Sequence, residues 1–271
     1  MTDAGRDNRT GLAGVRVLIT RGGAAGERDA AAVRRRGGRP LLAPLTVIAP
    51  PADSGPLRGA AAAWNRGDYD WLLITSANAA DAFADAGALS PRRSEAGRPR
   101  VAAVGDVTAD ALRAHGFAPD LVPDADFSAT GLAAALLERL TGSGLTFLFP
   151  VSELADRTLE TALSRAGHRV ERVTAYRTLP APRDAAVESR VSAGEVDVIL
   201  ILSASAARET ARRFAPLPPG VKLAAIGGPS ARALAADGLS ADVVADPHTV
   251  SNLLDRVAQL SFPSAPGGHP A

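Results

Sequence analysis

Short apolar runs alternate with alanine-rich amphipathic stretches along this chain. VRVLIT (15–20), DWLLIT (70–75), VAAVG (101–105), LTFLFP (145–150), DVILIL (197–202) and LAAIG (223–227) are apolar at nearly every position. That pattern predicts strands buried on both faces. Each run leads into a loop and then a segment of helical period, the order that builds a parallel sheet covered by helices. Glycine punctuates the helix ends ahead of the next strand, in RRRGGRP, RAHGFAP, SRAGHRV and AADGLSA.

The pattern is written twice. VAAVGDVTADALRAHGFAPDLVPDAD, from Val101, returns as LAAIGGPSARALAADGLSADVVADPH, from Leu223. DWLLITSANAADAF from Asp70 aligns with DVILILSASAARET from Asp197, and VLITRGG through RRRGGRP parallels FLFPVSE through SRAGHRV. A duplicated unit with conserved strand order predicts an α/β fold of two similar lobes, each a parallel sheet flanked by helices. The proline-rich segments RPLLAPLTVIAPP (39–51) and YRTLPAPRD (176–184) fall at matching points and read as the two crossings of a hinged clamp. The polar ends, 1–11 and 261–271, are expected to be disordered tails.

Composition excludes several classes of function. The 271 residues are 46% apolar, enough to fill a core in each lobe. The formal net charge is +1, so no global field recruits nucleic acid or an anionic membrane, and an anionic substrate must be gathered locally. There is no cysteine, which rules out thiolate chemistry, disulfides and cysteine-ligated metal. No apolar run has the length of a membrane span and the amino terminus lacks a signal-peptide core, so a cytoplasmic location is expected. The four histidines, His115, His168, His248 and His269, form no metal-ligand spacing and no Ser/His/Asp arrangement. No GxGxxG or Walker pattern follows a strand.

Ligands of open parallel sheets bind outside the carboxyl ends of the strands, where helix N-termini present backbone amides. Four loops at such ends are chemically distinctive: TSAN (75–78), GDVT (105–108), SAS (203–205) and GGPS (227–230). Helix capping alone accounts for a serine or threonine at any one of them. Four at equivalent places favour a ligand, and free amides with hydroxyls suit several carboxylates.

These loops, with VTAYRT ending near Tyr176 and KLAAIGGPSARALAADG followed by VVADPHTVSNLLDRV, resemble the uroporphyrinogen-III synthase family over roughly residues 12–258. The resemblance implies one discontinuous lobe from 12–44 with 178–260, a second from 46–174, and a two-stranded hinge. It implies a cyclising lyase that closes hydroxymethylbilane, a linear tetrapyrrole with eight carboxylates, to uroporphyrinogen III with inversion of the last ring. The steps are loss of the terminal hydroxyl to an azafulvene, a spiro intermediate and ring closure in the cleft between the lobes. No metal or organic cofactor is implied; the enzyme is a monomer, in transient contact at most with the upstream hydroxymethylbilane synthase.

Tyr176 matches the family's tyrosine, a proton donor to the departing hydroxyl; a buried anchor at a strand end is the structural alternative. Thr108 and Ser230 match two family hydroxyl positions, although GGPS departs from the commoner Gly-Pro-Thr. Lys222, the chain's one lysine, falls where the family often has a lysine. Arg21, Thr75, Ser76, Asn78, Gly105, Asp106, Ser203, Ser205 and Gly227 complete the expected substrate-binding set, and the basic run SPRRSEAGRPR (90–100) lies near the same end. A tetrapyrrole-binding relative that has lost the cyclase and serves as sensor or regulator is the alternative.

Overall fold

The computed structural model describes residues 11–90 and 99–262. All but residues 11, 261 and 262 of the expected tails, and most of the 90–100 run, therefore lie outside the described residues. The chain begins with β1 (Arg16–Ile19), α1 (Gly23–Arg35), β2 (Arg39–Leu42), β3 (Thr46–Ala49) and α2 (Gly55–Arg66). It continues through β4 (Trp71–Ile74), α3 (Ala77–Asp85), β5 (Arg100–Ala103), α4 (Asp106–Ala114), α5 (Ala129–Arg139) and β6 (Thr146–Ser152). Next come α6 (Thr158–Arg165), β7 (Arg169–Pro180), α7 (Ala185–Ser192), β8 (Val198–Ile201) and α8 (Ala204–Phe214). β9 (Lys222–Ala225), α9 (Gly228–Ala236), β10 (Val243–Val244) and α10 (Val250–Val257) complete it.

These elements form two compact units, one from residues up to Val47 and from Leu179 onward, the other from Ile48–Thr178. The first holds a sheet of order β10-β9-β8-β1-β2 and the second a sheet of order β3-β7-β6-β4-β5. Both divisions fall inside strands, β3 and β7, which are neighbours in the second sheet. The two proline-rich crossings are thus partly strand, where the sequence suggested extended linkers.

The duplication is visible in hydrogen bonds as well as in topology. Asp70, just before β4, accepts the Thr146 amide of β6 at 2.7 Å. Asp197, just before β8, accepts the Arg16 amide of β1 at the same 2.7 Å. Asp120 takes the Val101 amide at 2.8 Å and Asp242 the Leu223 amide at 2.8 Å. These carboxylates cover the amide groups at the amino ends of the strands, where parallel pairing leaves donors open.

All six apolar runs form strands, shorter or shifted by a residue or two from the sequence reading. Every residue of β4 and β8 is buried. Period two sends alternate side chains to opposite faces. In the first unit Val17, Ile19, Val198 and Leu200 pack with α1 and α10, while Leu18, Ile199 and Ile201 pack with α7, α8 and α9. In the second, Leu72, Ile74 and Val101 meet α2, α3 and α4, and Trp71, Leu73, Ala102 and Phe147 meet α5 and α6. Each fully buried aliphatic side chain contributes about 1.5–3 kcal/mol relative to exposure. This two-faced burial holds the strand ends, and the loops they carry, in place.

Candidate functional site

The carboxyl ends of the strands carry two kinds of helix start. At α3, Ser76 is an N-cap whose oxygen accepts the Ala79 amide at 3.2 Å. At α8, Ser203 caps in the same way, accepting the Ala206 amide at 3.1 Å. For these two serines the capping reading is part of the answer. Each has a second polar contact: Ser76 Oγ lies 3.2 Å from the Tyr176 hydroxyl, and Ser203 Oγ 3.0 Å from Ser205 Oγ.

α4 and α9 start differently. Their N-cap residues are Gly105 and Gly227, with no side-chain cap. At α4 this leaves the first-turn amides open, whereas at α9 Pro229 has no N–H and the Ser230 amide bonds the Gly227 carbonyl at 3.1 Å, so Gly228 offers the open amide. Both glycines are extended, so any residue could adopt their backbone; a side chain there would crowd a neighbouring ring. A Cβ on Gly105 would come within 3.1 Å of the Phe127 ring, and one on Gly227 within 2.9 Å of the His248 ring. Phe127 and His248 each immediately precede an N-cap, Ser128 of α5 and Thr249 of α10, so they are counterparts in the repeat.

Thr108 and Ser230 sit one turn into these open helices and are buried, with 5% and 2% exposure. Neither hydroxyl has a hydrogen-bond partner among the described residues. The residues are largely buried but their hydroxyl oxygens are not sealed within the protein, so both remain open to solvent or a ligand, at equivalent positions in the two copies. Of the other expected residues at this edge, Thr75 is half-buried and Asn78 exposed. Asp106 is the first residue of α4 and exposed. Its carboxylate complements the helix dipole, leaving its amide as what it offers an anion.

Two expected residues are placed otherwise. Arg21 follows β1 at the carboxyl edge, but its guanidinium is engaged bidentately by Asp29 of α1 at 2.6 and 2.9 Å. Its side chain keeps 42% exposure, so an outer edge stays reachable. Lys222 opens β9, at the amino end of the sheet, and bonds Asp242 at 3.0 Å. The strand itself separates it from the Gly227 loop by about 10 Å, given a rise of about 3.3 Å per residue. The structure does not bring Lys222 together with the loops.

The chain's two tyrosines lie at opposite ends of the second sheet. Tyr69 is buried before β4; burial, reinforced by a hydrogen bond to Glu171, pushes its phenol up to about 12. Tyr176 pairs in register with Ser152 at the end of β6 and is 9% exposed. Only Tyr176 stands among the strand-end loops.

Fold and site together define a duplicated parallel α/β protein whose strand ends present helix N-termini without side-chain caps, unpartnered hydroxyls and one phenol. The family model described as "Uroporphyrinogen-III synthase HemD" matches residues 27–255, and the chain belongs to that family. A uroporphyrinogen-III synthase of Synechococcus elongatus is 34% identical over 166 residues, 61% of each chain. The porphyrin biosynthesis protein HemD of Ruminiclostridium josui is 25% identical over 254 residues, 92% of this chain and 49% of its own. The chain thus spans 61% and 49% of the length of these two curated relatives.

Among solved structures, a mutant uroporphyrinogen III synthase of Thermus thermophilus superposes with a TM-score of 0.57 at 24% identity, covering 90% of this chain and 97% of that one. The Helicobacter pylori uroporphyrinogen-III synthetase gives 0.57 at 14% identity, covering 90% and 98%. At these identities the likeness is one of fold.

Proposed function

We propose that this protein cyclises hydroxymethylbilane to uroporphyrinogen III, with Tyr176 as the proton donor to the departing hydroxyl. The observation that carries the reading is the Tyr176–Ser76 contact of 3.2 Å at the strand-end edge of a member of this family. Either hydroxyl can donate in the Ser76–Tyr176 contact; in this reading Ser76, whose oxygen accepts the Ala79 amide, gives its proton to the Tyr176 oxygen. That leaves the phenol proton to point at the leaving oxygen. One proton enters with the departing water and one leaves when the closed ring regains aromaticity, so the phenol ends as it began.

In this reading the open amides at the start of α4 and the Gly228 amide of α9 take substrate carboxylates, helped by the Thr108 and Ser230 hydroxyls. Gly105, Gly227 and Asp106 act through backbone amides, while Thr75, Asn78, Ser203 and Ser205 supply hydroxyls or an amide. Arg21 reaches a carboxylate only with the edge that Asp29 leaves free. Lys222 has no direct part. The enzyme works as a cytoplasmic monomer and receives its unstable substrate from the preceding synthase.

The test is to supply freshly made hydroxymethylbilane and separate the III and I isomers of the product. Enrichment of III above the spontaneous outcome supports the cyclase; the spontaneous ratio refutes it and leaves a binding relative that acts as sensor or regulator. Thr108→Ala and Ser230→Ala are each expected to weaken substrate binding by about 0.5–1.5 kcal/mol, the usual worth of one hydrogen bond. KM against kcat in the same assay checks this: KM should rise about two- to tenfold with kcat little changed.

A further inference from the structure

One difference between the two copies at their strand ends lies in exposed apolar side chains. In the second unit three large apolar side chains are exposed on the carboxyl-end connections: Val107 at 76%, Phe127 at 55% and Leu154 at 60%. Their counterparts in the first unit are Pro229, His248 and Ala24. Duplication supplies the comparison: the backbone needs a residue before the N-cap and one after the helix-start glycine, but His248 and Pro229 show that it does not need large apolar ones.

We propose that Phe127 is a substrate-contacting residue whose ring packs against a pyrrole of the substrate, with Val107 beside it. The inference rests on the cyclase reading and names the part of the substrate that this unit recognises. Phe127 is held against Gly105, and the Gly105 backbone opens α4 with uncapped amides. A pyrrole lying on Phe127 therefore places its acetate and propionate arms within reach of the α4 amides and the free Thr108 hydroxyl. The flat ring of a pyrrole offers an apolar face and the arms offer charge, which is the division of surface found here. Exposed apolar groups scattered singly carry no meaning, but two that flank one uncapped helix start form a surface continuous with the candidate site.

The test compares the wild type with Phe127→Ala, Phe127→Leu and the control Leu89→Ala, using freshly made hydroxymethylbilane and separation of the product isomers. Leu89, 61% exposed, follows α3 at the far end of the sheet from the loops. Loss of an aromatic contact corresponds to a KM raised about tenfold for Phe127→Ala, with kcat little changed and a lower share of isomer III as spontaneous closure competes. Leu89→Ala should match the wild type in KM and isomer ratio. Should the alanine variant melt early, Phe127→Leu decides, since it keeps the contact with Gly105 but not the flat face; KM should still rise about threefold. A wild type that enriches isomer III beside Phe127 variants of unchanged KM overturns this inference and leaves the cyclase standing. A wild type that fails to enrich isomer III removes the cyclase reading, and this inference falls with it.

Discussion

Tyr176→Phe is expected to lower kcat about ten- to a hundredfold while KM stays within about twofold of the wild type. The substitution removes one oxygen from a residue that is 9% exposed and keeps the ring that packs in the core of the second unit. What is lost is the hydrogen bond to a leaving oxygen that strengthens only as charge develops. General-acid help is worth about 10²–10⁴, and a hydroxymethylpyrrole, whose hydroxyl leaves readily, needs the smaller part of it. Ser76 retains the Ala79 amide, so the α3 cap survives and folding is little affected. Tyr69→Phe is the contrasting variant, since it breaks the contact with Glu171 at the other end of the sheet and should alter melting but not turnover. A Tyr176→Phe protein with normal kcat in single-turnover measurements would assign proton delivery to water or to the substrate's own carboxylic acids.

Glu209→Gln is expected to cost about 3 kcal/mol of stability, because it leaves a buried guanidinium without its counter-charge. The Arg213 side chain is only 3% exposed and lies 2.9 Å from Glu209, with further hydrogen bonds to the carbonyls of Leu45, Ala181 and Pro182. Those carbonyls remain in the variant, which keeps the loss at the low end of what breaking a buried pair costs. Burial pushes the Glu209 carboxyl up, but hydrogen bonds and charge from Arg212 and Arg213 more than reverse this and hold it below the ordinary glutamate range. A carboxyl depressed in the folded state stabilises above its unfolded pKa, and that contribution is lost as pH falls through the folded value. The wild type should therefore lose stability in acid more steeply than Glu209→Gln. A calorimetric midpoint lower by about 6–12 °C at neutral pH, with the gap narrowing in acid, is the expected result.

The elements most legible in the sequence are those whose environment is uniform. β4 and β8, buried on both faces, show as unbroken apolar runs, and the Ser76 and Ser203 caps are announced by the turn from strand to helix. β7 was only partly legible, since RVERVTAYRTLP alternates between exposed, half-buried and buried positions and its end looks like a proline-rich linker. Arg21 looked free because its partner, Asp29, sits nearly two turns inside the following helix, a contact that no local pattern marks. Lys222 lies just ahead of an apolar run, and in a parallel sheet that places it at the edge away from the loops; the strand's direction was the signal against it. Phe127 lies one residue beyond the repeated block that ends at Asp126, and the signal for it is a difference between the copies, phenylalanine against histidine before the N-cap.

The discontinuity of the first unit has a consequence during synthesis. Ile48–Thr178 is one continuous stretch, so its sheet can close as soon as it clears the ribosome, whereas β1 and β2 wait for β8 and β9 to be made. At about 5–20 residues per second that wait lasts many seconds. Throughout it, β1 presents an open edge, with Val17, Leu18 and Ile19, wholly buried in the finished fold, still uncovered on at least one side. An unpaired apolar strand edge is what chaperones bind and what seeds aggregation. Chains released after a stop between residues 178 and 198 should accordingly be held by chaperones through β1 while their second unit already resists protease.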